Sequence, residues 1–250
     1  MFELTILIFL VLVLSSIQSI IGVGVLVLGT PILLILEYNM LSILSILLPI
    51  SIATSLINIF LMKKNMQGVE KILSSKTKNF FYMFCLPSIL IGLFLLKFFY
   101  YLINFEILIS ALILISILIK RYYQNKKVYI SNLKKKIVFS IVGLIHGLTN
   151  SGGTLLSLFI SFSEKNFKIN SRYIITFFYL ILASTQLVLF LSIFWDKIFF
   201  TNTHWILIST LLGCFIGNYI IKYINENYIK LLVEITAIIS SMFLFINGIN

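Results

Sequence analysis

Two short stretches combine glycine with hydrogen-bonding side chains inside otherwise apolar sequence. The first is Ser15-Ser16-Ile17-Gln18-Ser19-Ile20-Ile21-Gly22-Val23-Gly24, continuing to Gly29-Thr30-Pro31. The second is Gly143-Leu144-Ile145-His146-Gly147-Leu148-Thr149-Asn150-Ser151-Gly152-Gly153-Thr154. Glycine tolerates non-helical torsions and proline lacks a backbone donor, so both stretches break a helix. Broken backbone in apolar surroundings survives only where protein or an aqueous cavity satisfies its amides. A half-helix restarting near Val25, or near Thr154, points free N–H groups and the positive end of its dipole inward. Such N-termini bind anions without a full cationic charge. The substrate-binding candidates are therefore Gln18, Ser19, Gly22, Gly24 and Thr30 from the first stretch. The second supplies His146, Asn150, Ser151, Gly152, Gly153 and Thr154. Ser55, Asn58, Ser184, Thr185 and Gln186 are placed to line the same cavity from neighbouring spans.

His146 can donate to an anion or exchange a proton near neutral pH. Its counterpart in the first stretch is Gln18, which only donates and accepts, so contact with substrate is the expected role. His204 stands beside Trp205 at a span end and reads as an interfacial residue. Glu106 lies at a span start, and Glu234 lies about two turns into the last span, where bonding to a neighbouring helix is expected. There is no paired-carboxylate site, no H-E-x-x-H, no His-rich cluster and no Gly-x-Ser-x-Gly elbow. Intramembrane hydrolase or oxidase chemistry thus lacks parts; no enzyme activity, cofactor or metal is expected. Cys85 and Cys214 lie in apolar runs without a C-x-x-C spacing and read as packing residues.

The elements that must position these residues follow from composition. The chain has 250 residues, 60% hydrophobic and 11% charged, against about 45–50% and 25% in globular chains. Mean hydropathy is +1.10. Apolar runs cover 4–36, 40–61, 80–96, 98–119, 137–162, 173–194, 204–224 and 228–247. They are long and continuous, so the fold class is an all-α membrane protein of about eight transmembrane helices rather than a barrel. Eight spans take about 160 residues, which leaves no room for a soluble catalytic domain. The N-terminal run lacks a basic leader and a small-residue cleavage site, and is expected to remain as a span. Tyr38, Tyr100, Tyr101, Tyr122, Tyr123, Trp195, Trp205, Tyr223 and Tyr228 mark span ends. The net charge of +11 comes largely from two loops, 62–79 and 120–136, which hold twelve of the nineteen Lys and Arg residues. Clustering beside spans is the positive-inside pattern, so both loops are expected in the cytoplasm, and nucleic acid is excluded as a partner.

The two halves match. At an offset of 128, Gln18 pairs with His146, Gly22 with Asn150 and Gly24 with Gly152; Ala53-Thr54-Ser55 pairs with Ala183-Ser184-Thr185 at 130, and Gly92 with Gly217 at 125. The chain reads as two homologous transmembrane repeats, 1–125 and 126–250, each opening with a broken helix. The 33 residues of the run 4–36 would make one helix of about 50 Å. The expectation adopted is a single crossing with a break, giving four crossings per repeat, parallel repeats and cytoplasmic termini. The alternative is a re-entrant hairpin in each repeat, three crossings, inverted repeats and external termini.

At the two glycine motifs, Gln18–Gly24 through Gly29-Thr30-Pro31 and His146–Gly153, the sequence resembles the sulfite exporter TauE/SafE family. The likeness extends over essentially the whole chain in length, span count and duplication. It implies a multi-pass bacterial inner-membrane permease for sulfite, thiosulfate, organic sulfonates or carboxylates. In place of the family's Gly-Gly-Gly-like run, this chain has Gly22-Val23-Gly24-Val25. The expected function is transport of a small anion through a midplane site by alternating access, with the lipid bilayer as surroundings and a proton or sodium ion as candidate coupling ion. The rival is a non-transporting assembly or sensor subunit, which predicts no flux and a stable protein partner.

Overall fold

The computed structural model describes residues 2–63, 75–123, 131–163, 170–195, 203–223 and 226–249, and among them there is no strand. Ten helices follow one another: α1 (Phe2–Ile21), α2 (Val25–Ile35), α3 (Met40–Lys63), α4, α5 (Phe105–Tyr123), α6 (Asn132–Thr149), α7 (Gly152–Ser163), α8 (Asn170–Ile193), α9 (Thr203–Ile220) and α10 (Glu226–Ile249). Helix α4 opens as Ser75–Phe80, passes through a π-helical turn at Phe81–Cys85 and continues as Leu86–Phe99. Among the described residues four stretches are long and apolar enough to cross a bilayer: Leu4–Ile21, Met40–Met62, Lys76–Phe99 and Arg172–Ile193. Large apolar side chains such as Phe9, Phe60, Met83, Phe98 and Leu118 face outward, which lipid tolerates and water does not. The chain is a multi-pass helical membrane protein.

Local sequence sets the helix ends. Asn39 Oδ1 accepts from the Ser42 N–H at 2.9 Å, and Asn104 Oδ1 accepts from the Ile107 N–H at 3.0 Å. Both are side-chain N-caps that satisfy an otherwise orphaned amide. Helix α2 ends with Tyr38 N–H on Leu33 O at 3.0 Å and Glu37 N–H on Leu34 O at 2.9 Å. Glu37 takes the left-handed conformation there, φ 63°, which is the Schellman closure.

The run 4–36 is not one broken crossing. Gly24 lies against Gln18, and Gly29 lies against Leu14. Leu33 and Leu36 share a cavity wall with Ile6 and Leu7. Helix α2 therefore returns antiparallel along α1, and the two form a hairpin. The run 137–162 does the same: Gly152 lies against His146 and Val142, and the rings of Phe139 and Phe159 meet at 4.8 Å. Folded back, Gln18 of α1 accepts from the first amide of α2, and Gly152 lets α7 close on His146 and Val142 of α6, so a hairpin replaces the expected single crossing. At about 1.5 Å per residue, α2 and α7 are also too short to span the bilayer alone.

Contact registers fix the directions. Ser209 donates to Ile8 O, and Ser16 donates to Gly213 O, so α1 and α9 run parallel. Thr77 meets Lys135, Phe81 meets Phe139, and Gly143 meets Cys85, so α4 and α6 run parallel. Asn104 meets Gly248, and Arg121 meets Glu234, so α5 and α10 run antiparallel. The ten helices alternate in direction along the chain, and α1 and α6 point opposite ways. The strongest pairings are α1 with α9, α4 with α6, α5 with α10 and α3 with α8. Glycine lets backbones close up in two of these seams: Gly147 of α6 meets the carbonyl of Ile89 on α4, and Gly217 of α9 meets the carbonyl of Ser16 on α1.

Of the two basic loops, 62–79 and 120–136, residues 64–74 and 124–130 lie outside the described residues. What flanks them converges on one end of α4 and α6. Lys135 Nζ sits 3.4 Å from Thr77 Oγ1, and Lys136 Nζ sits 5.3 Å from the ring centres of Phe80 and Phe84. Helix α10 ends at the opposite side. With the basic end in the cytoplasm, a reporter active only in the cytoplasm is expected to stay silent when fused behind Asn250. Activity from that fusion would contradict the alternating directions.

Candidate functional site

The tips of the two hairpins point toward each other and meet inside the bundle. At the first tip Gly22 adopts φ 96°, a conformation that favours glycine, and its N–H closes α1 on Gln18 O at 2.8 Å. The Gln18 side chain then holds the restart. Its Oε1 accepts from the Val25 N–H at 3.0 Å. Its Nε2 donates to Ser51 O at 3.1 Å and Ser55 Oγ at 3.0 Å. One buried amide thus joins the N-terminus of α2 to α3. The next free amide, Leu26 N–H, donates to the hydroxyl of Tyr179 on α8 at 3.2 Å.

At the second tip Asn150 is left-handed, φ 64°, and its N–H donates to His146 O at 2.9 Å. Its Nδ2 donates across to Thr30 Oγ1 at 3.2 Å, which ties the second tip to the flank of α2. Ser151 and Thr154 close the turn locally: Thr154 Oγ1 donates to Ser151 O at 2.8 Å, and Ser151 Oγ donates to Thr149 O at 3.2 Å. Gln186 Nε2 donates to His146 O at 2.9 Å. Gly153 lets the Tyr179 ring pass directly over the start of α7.

Four polar atoms here find no partner among the described residues: His146 Nδ1 and Nε2, Asn150 Oδ1 and Gln186 Oε1. Their residues are fully buried. A buried polar atom without a partner is costly and calls for an explanation. The imidazole of His146 lies 6.3 Å from the Tyr179 ring, centre to centre. These contacts bring the N-terminus of α2, the Tyr179 hydroxyl, Thr30, His146 and the side chains of Asn150 and Gln186 into one neighbourhood. This is a set of neutral dipoles with both donors and acceptors. Among the described residues no group of three His, Cys, Asp or Glu side chains is placed to hold a metal ion.

The candidates from sequence divide into three groups. Gln18, Thr30, Ser55, His146, Asn150, Gly153 and Gln186 meet at the tips; Gly24, Ser151, Gly152 and Thr154 build the turns there. Asn58 instead accepts from Asn218 Nδ2 at 2.7 Å, and Asn218 accepts from Arg172 Nη2 at 2.8 Å, a polar chain beside the first tip. Ser19 lies in the α1–α9 seam against Gly217, and Gly22 packs on the Arg172 carbonyl and Thr176. Ser184 and Thr185 are half-buried on α8 and bond to neither tip. Sequence reasoning missed Tyr179 and Ser51. Both lie in apolar runs beyond the glycine motifs, and only the fold brings them in. The expected bond of Glu234 to a neighbouring helix is present: Arg121 Nε meets Glu234 Oε1 at 3.2 Å. A separate cavity of about 540 Å³ opens between the start of α1 and the end of α2, lined by Leu7, Leu33, Glu37, Tyr38, Asn39 and Ser42. It lies on the side away from the basic end, about 16 Å along α1 from Gln18.

Paired helical hairpins buried in a multi-pass apolar bundle define the class: an integral membrane protein with two hairpin tips that meet in its interior. The family model for the sulfite exporter TauE/SafE matches residues 7–244, nearly the whole chain. The chain belongs to that family, a family of membrane transporters. No curated protein and no solved structure matches it.

Proposed function

We propose that this protein is a bacterial inner-membrane permease that moves a small anion, such as sulfite, thiosulfate or an organic sulfonate, through a site between the two hairpin tips. The observation that carries this reading is the cluster of unpartnered buried atoms on His146, Asn150 and Gln186 beside the N-terminus of α2. A three-oxygen anion accepts from several N–H and O–H groups at once, and the helix terminus favours its charge. The amide oxygens of Asn150 and Gln186 suit a protonated oxygen, as on hydrogen sulfite.

The two halves, 1–125 and 126–250, form inverted five-helix repeats on this reading. Support comes from the pairings: α1 with α9 mirrors α6 with α4, and α2 with α10 mirrors α7 with α5, while α3–α8 and α5–α10 pair with their own counterparts. An inverted pair lets one unit rock against the other around a fixed midplane site. Flux in proteoliposomes tests the reading. The intact chain is expected to carry sulfite or thiosulfate. Asn150→Leu loses the bond to Thr30 and a residue suited to left-handed backbone, and is expected to slow flux about tenfold. No flux of any of these anions by the intact chain, with a stable protein partner on purification, would favour the non-transporting reading instead.

A further inference from the structure

The N-terminus of α2 is the strongest feature for an anion in the site, yet its first two amides are occupied by the protein itself. Val25 N–H is held by Gln18 Oε1 at 3.0 Å and Leu26 N–H by the Tyr179 hydroxyl at 3.2 Å. The first amides of a helix have no partner within the helix, so each needs an oxygen from elsewhere. Beside this filled position, both ring nitrogens of the fully buried His146 remain without a partner among the described residues. One side of the site is self-filled and the other is unfilled.

We propose that Tyr179 is a displaceable gate: its hydroxyl oxygen occupies the place on Leu26 N–H that an oxygen of the transported anion takes. This rests on the permease reading above. An oxyanion accepts a hydrogen bond about twice as strongly as a neutral oxygen, so an incoming anion exchanges with the phenol favourably. The Gln18 oxygen stays in place because that amide is also held by Ser51 and Ser55. The Tyr179 hydroxyl also meets the Val27 amide and the Ser51 side chain, so an oxyanion that takes its place accepts from two successive amides of α2. The Tyr179 ring passes over Gly153 at the start of α7 and its hydroxyl reaches α2, so it touches both hairpins. Displacing it removes a contact between the two tips. Anion binding and the freedom of the hairpins to separate are thereby linked through one side chain.

The test is equilibrium binding and flux of sulfite and of thiosulfate with the full chain in lipid nanodiscs and proteoliposomes. Tyr179→Phe keeps the ring and removes the competing oxygen. It is expected to bind the anion about tenfold more tightly, because the Leu26 amide then has no partner until the anion arrives. The maximal flux is expected to fall at the same time, since the hydroxyl no longer helps to release the anion. A residue that only contacts substrate would weaken binding when truncated, and a purely structural one would leave affinity unchanged. Gly153→Ala reads the same competition without touching the hydroxyl: its added Cβ collides with the ring, the ring must swing away, and affinity again rises. Unchanged or weaker binding in the recovered folded variant, with the intact chain binding normally, overturns the gate and leaves the permease reading standing. An intact chain that binds neither anion overturns both.

Discussion

Gln18→Leu is expected to abolish measurable anion flux while leaving the protein in the membrane. The argument begins with one side chain that makes three hydrogen bonds, to Val25, Ser51 and Ser55, all of them buried. Leucine has similar bulk and makes none. The Val25 amide is then left without an acceptor in an apolar interior, at a cost of about 1–3 kcal/mol. The bonds to Ser51 and Ser55 are lost with it, so α2 is no longer tied to α3 and its terminus, the proposed anion contact, loses its position; Tyr179→Phe leaves that tie intact. At 1.4 kcal/mol per tenfold, the site's affinity falls by up to about a hundredfold. Isotope flux in proteoliposomes, normalised to protein inserted, measures it. Flux close to that of the intact chain would show that α2 does not need this clip.

Gly147→Ala is expected to cause the largest loss of stability. Gly147 of α6 meets the carbonyl of Ile89 on α4, and Gly92 of α4 meets Leu144 and Leu148 of α6. A methyl group at 147 has only backbone in front of it, and backbone within a packed helix yields poorly. Separating the two helices gives up the tight contact that holds membrane helices together where no hydrophobic effect drives them. Overpacking of this kind costs about 3 kcal/mol. Gly29→Ala is the contrasting case: its added methyl meets the tips of Leu47 and Leu14, which can turn aside, so about 1 kcal/mol or less is expected. Thermal unfolding in mild detergent distinguishes them. Equal melting behaviour of the two variants would mean that the α4–α6 seam is looser than its geometry implies.

The glycine motifs were legible in the sequence because their chemistry is local. Gln18, Thr30, His146 and Asn150 stand where polar side chains interrupt apolar runs, and the restart of α2 falls at Val25 as the spacing suggests. The turn-back was not legible. A glycine pair permits a kink and a reversal equally, and nothing in Gly22-Val23-Gly24 chooses between them. The choice is made by partners distant in sequence: Leu47 and Leu14 against Gly29, and Tyr179 on Leu26. Tyr179 itself lies in Phe177-Phe178-Tyr179-Leu180 and carries the signature of a core ring. Ser184 and Thr185 are a different case. They occupy the expected position in the repeat pattern and lie half-buried on α8, next to Gln186, which bonds His146 O.

The π-helical turn at Phe81–Cys85 makes the length of α4 a counted quantity. A π turn accommodates about one residue more than an α turn, so it absorbs an extra residue that would otherwise turn everything after it by about 100°. Upstream of it Thr77 faces α6, and downstream Ser88, Ile89 and Gly92 still do. Deleting one residue within 81–85 is expected to relax the turn to an ordinary helix with Gly92 still in the seam, whereas a deletion that leaves the π turn in place rotates Gly92 out of it. The π turn is thus where α4 can lose a residue and keep its face to α6, while elsewhere along the helix residue number is constrained as strictly as residue type.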